Sequence, residues 1–211
     1  MNGEKVSLLG LQVDPAVDII AVDGVVITKP ELRTIMLHKP EGCISTVTDP
    51  QARDTVMTLV PEIPGLHPVG RLDKDTTGLL LLTNEGALTY ALTHPKHHVN
   101  KVYDAMVEGM PNEDALTKLR EGVELDDGMT APAQVRRLEY RGRTTILELV
   151  IHEGRKRQIR RMCLAIGHPV VRLRRVRVGP LTLGNLPEGQ WRDVTPTEIA
   201  ALYRAAGVEQ K

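Results

Sequence analysis

Gly78-Leu79-Leu80-Leu81-Leu82-Thr83-Asn84-Glu85-Gly86 sets four leucines in succession between a glycine and an Asn-Glu-Gly turn signal. A continuous apolar run bounded in this way predicts a strand buried on both faces. The polar segment before it, Val69 to Gly78, then leads directly into the core. Upstream, Thr34-Ile35-Met36-Leu37-His38 alternates like a strand and Pro40-Glu41-Gly42 turns the chain. Downstream, strands are predicted at Val99 to Val107, Gln134 to Leu138 and Thr144 to Ile151, with a helix from Asn112 to Glu121. In Arg155 to Ile166, the apolar Ile159, Met162, Cys163 and Ile166 follow i, i+3, i+4, i+7, and Gly167 and Pro169 supply the stop. That spacing predicts an amphipathic helix with basic residues crowding its first turns. Val170 to Val178 alternates loosely and predicts a strand. Thr195-Pro196 opens a last helix, Thr as N-cap and Pro as first helical residue. Strands and helices interleave without a regular βαβ rhythm, which predicts an α+β fold with a mixed sheet.

The chain has 211 residues, 41% of them hydrophobic, enough for a substantial core. No run approaches the ~20 apolar residues of a membrane span, and Met1 to Lys5 lacks a signal peptide's apolar core, so a cytoplasmic location is expected. Cys43 and Cys163 lack CxxC or metal-ligand spacing and are expected as buried, reduced thiols. The 27 basic and 27 acidic residues cancel, yet nine Lys and Arg with no Asp or Glu fall between Arg155 and Arg177. Without interspersed acids such a stretch repels itself unless a polyanion neutralises it, which points to nucleic acid. With no Phe, four Tyr and one Trp, a broad stacking platform is not expected, leaving phosphates and a few specific contacts to hold RNA.

On composition alone Asp73 is a turn former and Tyr103 a core residue of a strand. His94, His97 and His98 have neither helical i, i+4 spacing nor a neighbouring acid, so no metal site is expected. Gly70 and Gly78 lack the Gly-Lys-Ser/Thr of a P-loop.

The wording around Asp73 adds to this. Gly70-Arg71-Leu72-Asp73, then Asp75-Thr76-Thr77-Gly78 and the leucine run, resemble the active-site segment of the ribosomal-RNA pseudouridine synthase family, in the branch of the ribosomal small- and large-subunit enzymes. The resemblance continues through His94-Pro95-Lys96, Lys101-Val102-Tyr103, Glu153 to Met162, Gly167-His168-Pro169 and Val178 to Leu181, covering roughly residues 33 to 203. It implies that family's fold, a mixed, largely antiparallel sheet flanked by helices, and isomerisation of uridine to pseudouridine without a cofactor. Asp73 matches the family's essential aspartate. Arg160 falls where the family has a basic partner for it, Tyr103 where a Tyr meets the target uracil, and Arg71 where a cation can stabilise RNA around a flipped uridine. Arg160 is also readable as a phosphate contact, and Ile159 as a base contact or a core residue. Arg155, Lys156, Arg157, Arg161, Arg172, Arg174, Arg175 and Arg177 are candidate contacts to the RNA backbone.

Residues 1 to 30 read as short strands and turns, with Asn2-Gly3 and Asp23-Gly24 around Ile19-Ile20-Ala21-Val22 and Val25-Val26-Ile27. They resemble the second half of an S4 RNA-binding domain and are too few for an independent core. The helical first half is absent, either lost from the natural protein or lying before an internal Met. Residues 31 to 211 then form the catalytic domain. The expected partner is ribosomal RNA or an assembly intermediate, met by a monomer. Lys156 to Met162 and Thr130-Ala131-Pro132-Ala133 look closer to the 23S branch, whereas His94 to His98 resemble the 16S pattern. A noncatalytic ribosome-assembly factor and a metal-dependent hydrolase using Asp73 and Asp75 are the competing classes.

Overall fold

A computed structural model describes residues 1–8, 10–14, 17–26, 30–51 and 53–209. It divides into two units, Met1–Leu32 and Arg33–Lys211. The first contains a hairpin of β1 (Ala21–Val22) and β2 (Val25–Val26). Asp23 and Gly24 both have positive φ, as a tight two-residue hairpin turn requires. None of the described residues in this unit is fully buried. Ile27, which the sequence reading placed in the second of these strands, lies outside the described residues.

The second unit is built on β3 (Thr34–Lys39), β4 (His67–Pro68), β5 (Thr76–Thr83), β6 (Lys101–Glu108), β7 (Glu124–Leu125), β8 (Gly128–Met129), β9 (Gln134–Tyr140), β10 (Thr144–Ile151), β11 (Val170–Val178), β12 (Leu181–Thr182) and β13 (Trp191–Asp193). Its helices are α1 (Gly86–Thr93), α2 (Glu113–Glu121), α3 (Gln158–Ala165) and α4 (Pro196–Ala205). One sheet runs in the order β13-β3-β5-β11-β6-β10-β9, with β4 added to β5 and β12 to β11. Every pairing in it is antiparallel except β5 with β11. The expected α+β class and mixed, largely antiparallel sheet are what the chain adopts.

The leucine run is buried on both faces. Leu80 and Leu82, with Ile35 and Leu37 of β3, pack beneath Leu116 and Leu119 of α2 and Ile159, Met162 and Cys163 of α3. Leu79 and Leu81, with Met36, face Leu88, Ala91 and Leu92 of α1 and Leu202 and Tyr203 of α4. Burial of each such leucine contributes about 1.5–3 kcal/mol. α4 carries the expected Thr195 cap, completed as a capping box by Glu198.

Gly78 marks the parallel junction. It pairs with Arg175, its φ is +111°, and a Cβ there would lie 2.6 Å from the Arg175 backbone nitrogen and closer still to its carbonyl oxygen. Only glycine lets β5 and β11 approach this closely.

The short strands β4, β7, β8, β12 and β13 were not predicted, and two helices also differ from the sequence reading. α1 was not predicted: its N-cap, Glu85, gives no side-chain cap and instead accepts the Tyr203 hydroxyl at 2.7 Å. α3 starts at Gln158 rather than Arg155, because Arg157 takes a left-handed conformation (φ +50°) and the Gln158 side chain turns back to accept the Arg155 amide. Arg155 and Lys156 therefore lie in the turn before the helix. Cys163 is buried as expected, whereas Cys43 is only partly so.

Candidate active site

Asp73 stands in the loop between β4 and β5, whose backbone is bound at each step. The buried Ser45 hydroxyl donates to the Leu72 carbonyl at 3.0 Å and accepts its amide at 3.2 Å. The Asp73 carbonyl accepts from the Thr76 amide at 3.0 Å, and the Lys74 carbonyl from the Gly42 amide at 2.9 Å. Arg160 Nη2 donates to the Asp75 carbonyl at 2.7 Å. Lys39, with no exposed surface, directs its ammonium to the carbonyls of Pro40, Lys74 and Thr76 at 2.9, 3.4 and 3.0 Å. Burial pushes the Lys39 ammonium below its usual range, and the nearby acidic groups, including Cys43, Asp75 and Asp73, oppose that shift.

This loop forms one wall of a cleft of about 970 Å³, a size suited to a small ligand or a flipped nucleoside. Arg71 and Asp73 reach it from the loop, Lys101 and Tyr103 from β6, Leu173 and Arg175 from β11, and Arg157 and Ile159 from the start of α3. Among the described residues the Asp73 carboxylate enters no ion pair within 4 Å, and the exposed Arg71 likewise has none. Tyr103 and Arg175 sit opposite each other in register, so the strand pairing itself brings them together. Ile159 belongs at once to the cleft lining and to the core.

The structure redistributes the basic stretch. Arg160 was expected against Asp73; it is directed instead to Asp75, 3.4 Å from its carboxylate, because the same guanidinium takes the Asp75 carbonyl. Arg157 binds both oxygens of that carboxylate at 3.0 Å. Hydrogen bonds from Arg157 hold the Asp75 carboxyl below the usual range; burial opposes them, and the charges of Arg160 and Arg157 add to the lowering. Arg161 pairs with Asp126 and Asp127, and Arg155 with Glu153 and Asp127 while donating to the carbonyls of Gly128 and Met129. Acids distant in sequence thus supply the neutralisation that a polyanion was expected to provide. Arg172 lies 3.8 Å from Glu188. Arg174 faces Asp104 across the β11–β6 pairing; burial raises the Asp104 carboxyl and Arg174 opposes it.

Arg175, expected on the exposed basic face, is only 4% exposed and donates Nε to the Leu79 carbonyl at 2.8 Å. Of the candidate backbone contacts, Lys156 and Arg177 are exposed and enter no ion pair among the described residues.

Sequence reasoning missed Lys39, Ser45 and Lys101 as site residues. Lys101 donates to the carbonyls of Val99 and His152 at 3.1 and 3.0 Å. Burial, helped by the charge of Arg175, brings its ammonium down to about 8. Lys101 stood within the Lys-x-Tyr wording, and Lys39 was visible as a charge ending an apolar strand. Among the described residues no group of three His, Cys, Asp or Glu is placed to hold a metal ion, and no helix is long and apolar enough to cross a membrane.

A carboxylate without an ion-pair partner in a cationic cleft, beside the one parallel strand pair of the sheet, is the arrangement of an enzyme site for an anionic substrate. The model of the family described as RNA pseudouridylate synthase matches residues 33–165. An uncharacterised RNA pseudouridine synthase of Aquifex aeolicus is 42% identical over 99% of this chain and 85% of its own length. The ribosomal large subunit pseudouridine synthase B of Bacillus subtilis is 42% identical over 98% and 85%. A crystal structure of a pseudouridylate synthase superposes with a TM-score of 0.74 at 34% identity, covering 95% of this chain and 86% of that one. The chain belongs to the RNA pseudouridine synthase family, and its reaction is the isomerisation of uridine to pseudouridine in RNA.

Proposed function

We propose that the substrate is ribosomal RNA, specifically a uridine of the large-subunit 23S RNA, and that Asp73 carries the chemistry. The carrying observation is the unpaired Asp73 carboxylate at the wall of a cleft that also presents Arg71, Lys101, Tyr103 and Arg175. The name of the Bacillus subtilis relative supports the large-subunit target. The C1′–N1 bond breaks and a C1′–C5 bond forms, while C5 gives up its proton and N1 gains one, so product and substrate are isomers and no oxidant or added group is consumed. A carboxylate can serve the covalent or proton-transfer steps while the freed uracil turns in the cleft. Tyr103 offers an aromatic face and a hydroxyl to that base. Arg71 compensates the few kcal/mol lost when the uridine leaves its stack. Lys156 and Arg177 supply backbone contacts, and Arg157 joins them from the cleft rim. Arg160 acts through Asp75, fixing the loop that presents Asp73. Residues 1–32 add a further RNA-binding segment to a monomeric, cytoplasmic enzyme that works on free RNA or an assembly particle.

Pseudouridine mapping of 16S and 23S RNA from cells lacking the protein, complemented with wild type or Asp73→Asn, tests this reading. One 23S uridine should lose its modification and regain it with wild type alone. A restored site in 16S RNA would move the target to the small subunit. Restoration by Asp73→Asn would remove Asp73 from the chemistry, and an unchanged map would refute the ribosomal target.

A further inference from the structure

Four Tyr and one Trp are all the aromatic residues this chain has, and Tyr90 is 49% exposed. It stands on α1, whose opposite face buries Leu88, Ala91 and Leu92. Its ring is the centre of a cluster. His94, one turn on, lies 4.9 Å away between ring centroids, and His97 lies 5.6 Å away, nearly edge-on. Lys96 places its ammonium 5.0 Å from the Tyr90 ring centroid. The backbone fixes this corner: His94 caps the short 3-10 turn Pro95–His97 by accepting the Lys96 amide, and His98 closes it in a left-handed conformation. Core packing does not require this arrangement, since Tyr90, His94 and Lys96 are all exposed.

The corner is continuous with the cleft. Thr93 and Pro95, from the same turn, line it, as do Gly70 and Arg71 of the Asp73 loop. A Cβ on Gly70 would touch the Thr93 methyl at 3.7 Å, so the end of α1 packs beside the loop. RNA whose uridine occupies the cleft must leave over its rim, and this rim offers an exposed aromatic ring with the Lys96 ammonium over it.

We infer that Tyr90, His94, Lys96 and His97 form a nucleotide-binding corner for an unstacked base of the substrate RNA next to the flipped uridine. The base stacks on the Tyr90–His cluster and its phosphate meets Lys96. The inference rests on the RNA substrate proposed above and assigns a surface that neither the Asp73 motif nor the basic stretch contains.

The test is single-turnover pseudouridine formation on a 23S RNA transcript at increasing enzyme concentration, for wild type, Tyr90→Ala, Tyr90→Phe and Lys96→Ala. Tyr90→Ala should raise the half-saturating concentration by about fivefold or more, the smallest effect expected from losing one base-on-aromatic stack. Its plateau rate should move less than twofold, and Tyr90→Phe should behave as wild type. Lys96→Ala should reduce the salt dependence of half-saturation by about one unit of slope. An unchanged half-saturation in Tyr90→Ala, or a fall in plateau rate alone, overturns the inference and leaves the function proposed above standing. Wild type that forms no pseudouridine in 23S RNA, either as transcript or within assembly particles, refutes the 23S target, and this inference with it.

Discussion

Gly78→Ala isolates the contact on which the catalytic half of the sheet depends. The substituted Cβ would meet the backbone of Arg175 at 2.6 Å from nitrogen and 2.9 Å from the carbonyl carbon. Neither is the far end of a flexible side chain, so β5 and β11 must separate. Forcing φ +111° on alanine costs about 1–3 kcal/mol, and overpacking against an unyielding neighbour costs about another 1–3 kcal/mol. The expected loss is about 2–6 kcal/mol, a large share of the ~5–15 kcal/mol that holds a domain folded. Gly142→Ala is the control. It also has positive φ, +72°, but a Cβ there meets nothing within 4 Å, so its cost is about 1 kcal/mol. Urea unfolding of both variants reads the difference directly. Activity should fall with Gly78→Ala as well, because β11 carries Leu173 and Arg175 into the cleft. A Gly78→Ala protein within about 1 kcal/mol of the Gly142→Ala control would refute the close-approach argument.

Three further outcomes follow from the charges. RNA affinity should decline as pH rises through about 8, where Lys101 loses its proton, and Lys101→Met should flatten that limb; equal slopes in titrations of the two proteins would exclude Lys101 as the source. Burial pushes the Cys163 thiol from 9.0 to about 12. In that window the folded chain keeps a proton that the unfolded chain loses, so stability falls as pH climbs, and Cys163→Ala should lose this component in urea midpoints measured from pH 8 to 10. The Asp75 carboxyl is held below 3.8, so its contribution is present above that pH and lost as pH falls through the lowered value. Asp75→Asn should cost about 1 kcal/mol at neutral pH, given its partial exposure, and blunt acid destabilisation. Identical unfolding of wild type and variant at pH 7 and pH 3 would show that the Arg157 and Arg160 contacts do not anchor the loop.

The strands were legible where their chemistry was local. Thr144–Ile151 was read to the residue, and the leucine run declared its burial on both faces through composition alone. α1 escaped because Gly86 and Glu85 offer no conventional cap; tertiary packing of Leu88, Ala91 and Leu92 makes the helix. The basic stretch pointed to nucleic acid, as membership of an RNA-acting family bears out, but it hid its own ion pairs for a related reason. Its signs were read along the chain, while its counter-charges, Asp75 and the Asp126–Asp127 pair, come from other loops. The Arg160–Asp73 expectation failed by two residues, since a motif names the residues that converge but not which carboxylate each guanidinium meets. Ser45 carried no signal of its role, and Lys39 only that of a charge ending an apolar strand, because each works on backbone carbonyls and amides that a sequence does not display.

The place of β11 in the sheet has a consequence for synthesis. It is among the last strands made, yet it lies between β5 and β6 and joins them. Until Val170–Val178 has left the ribosome, both older strands present bare edges, and Arg175 is not yet beside Tyr103. The nascent chain therefore passes through a long interval in which it is exposed to edge-to-edge association and unable to act on RNA. Competence cannot precede the joining of that central strand to its two neighbours.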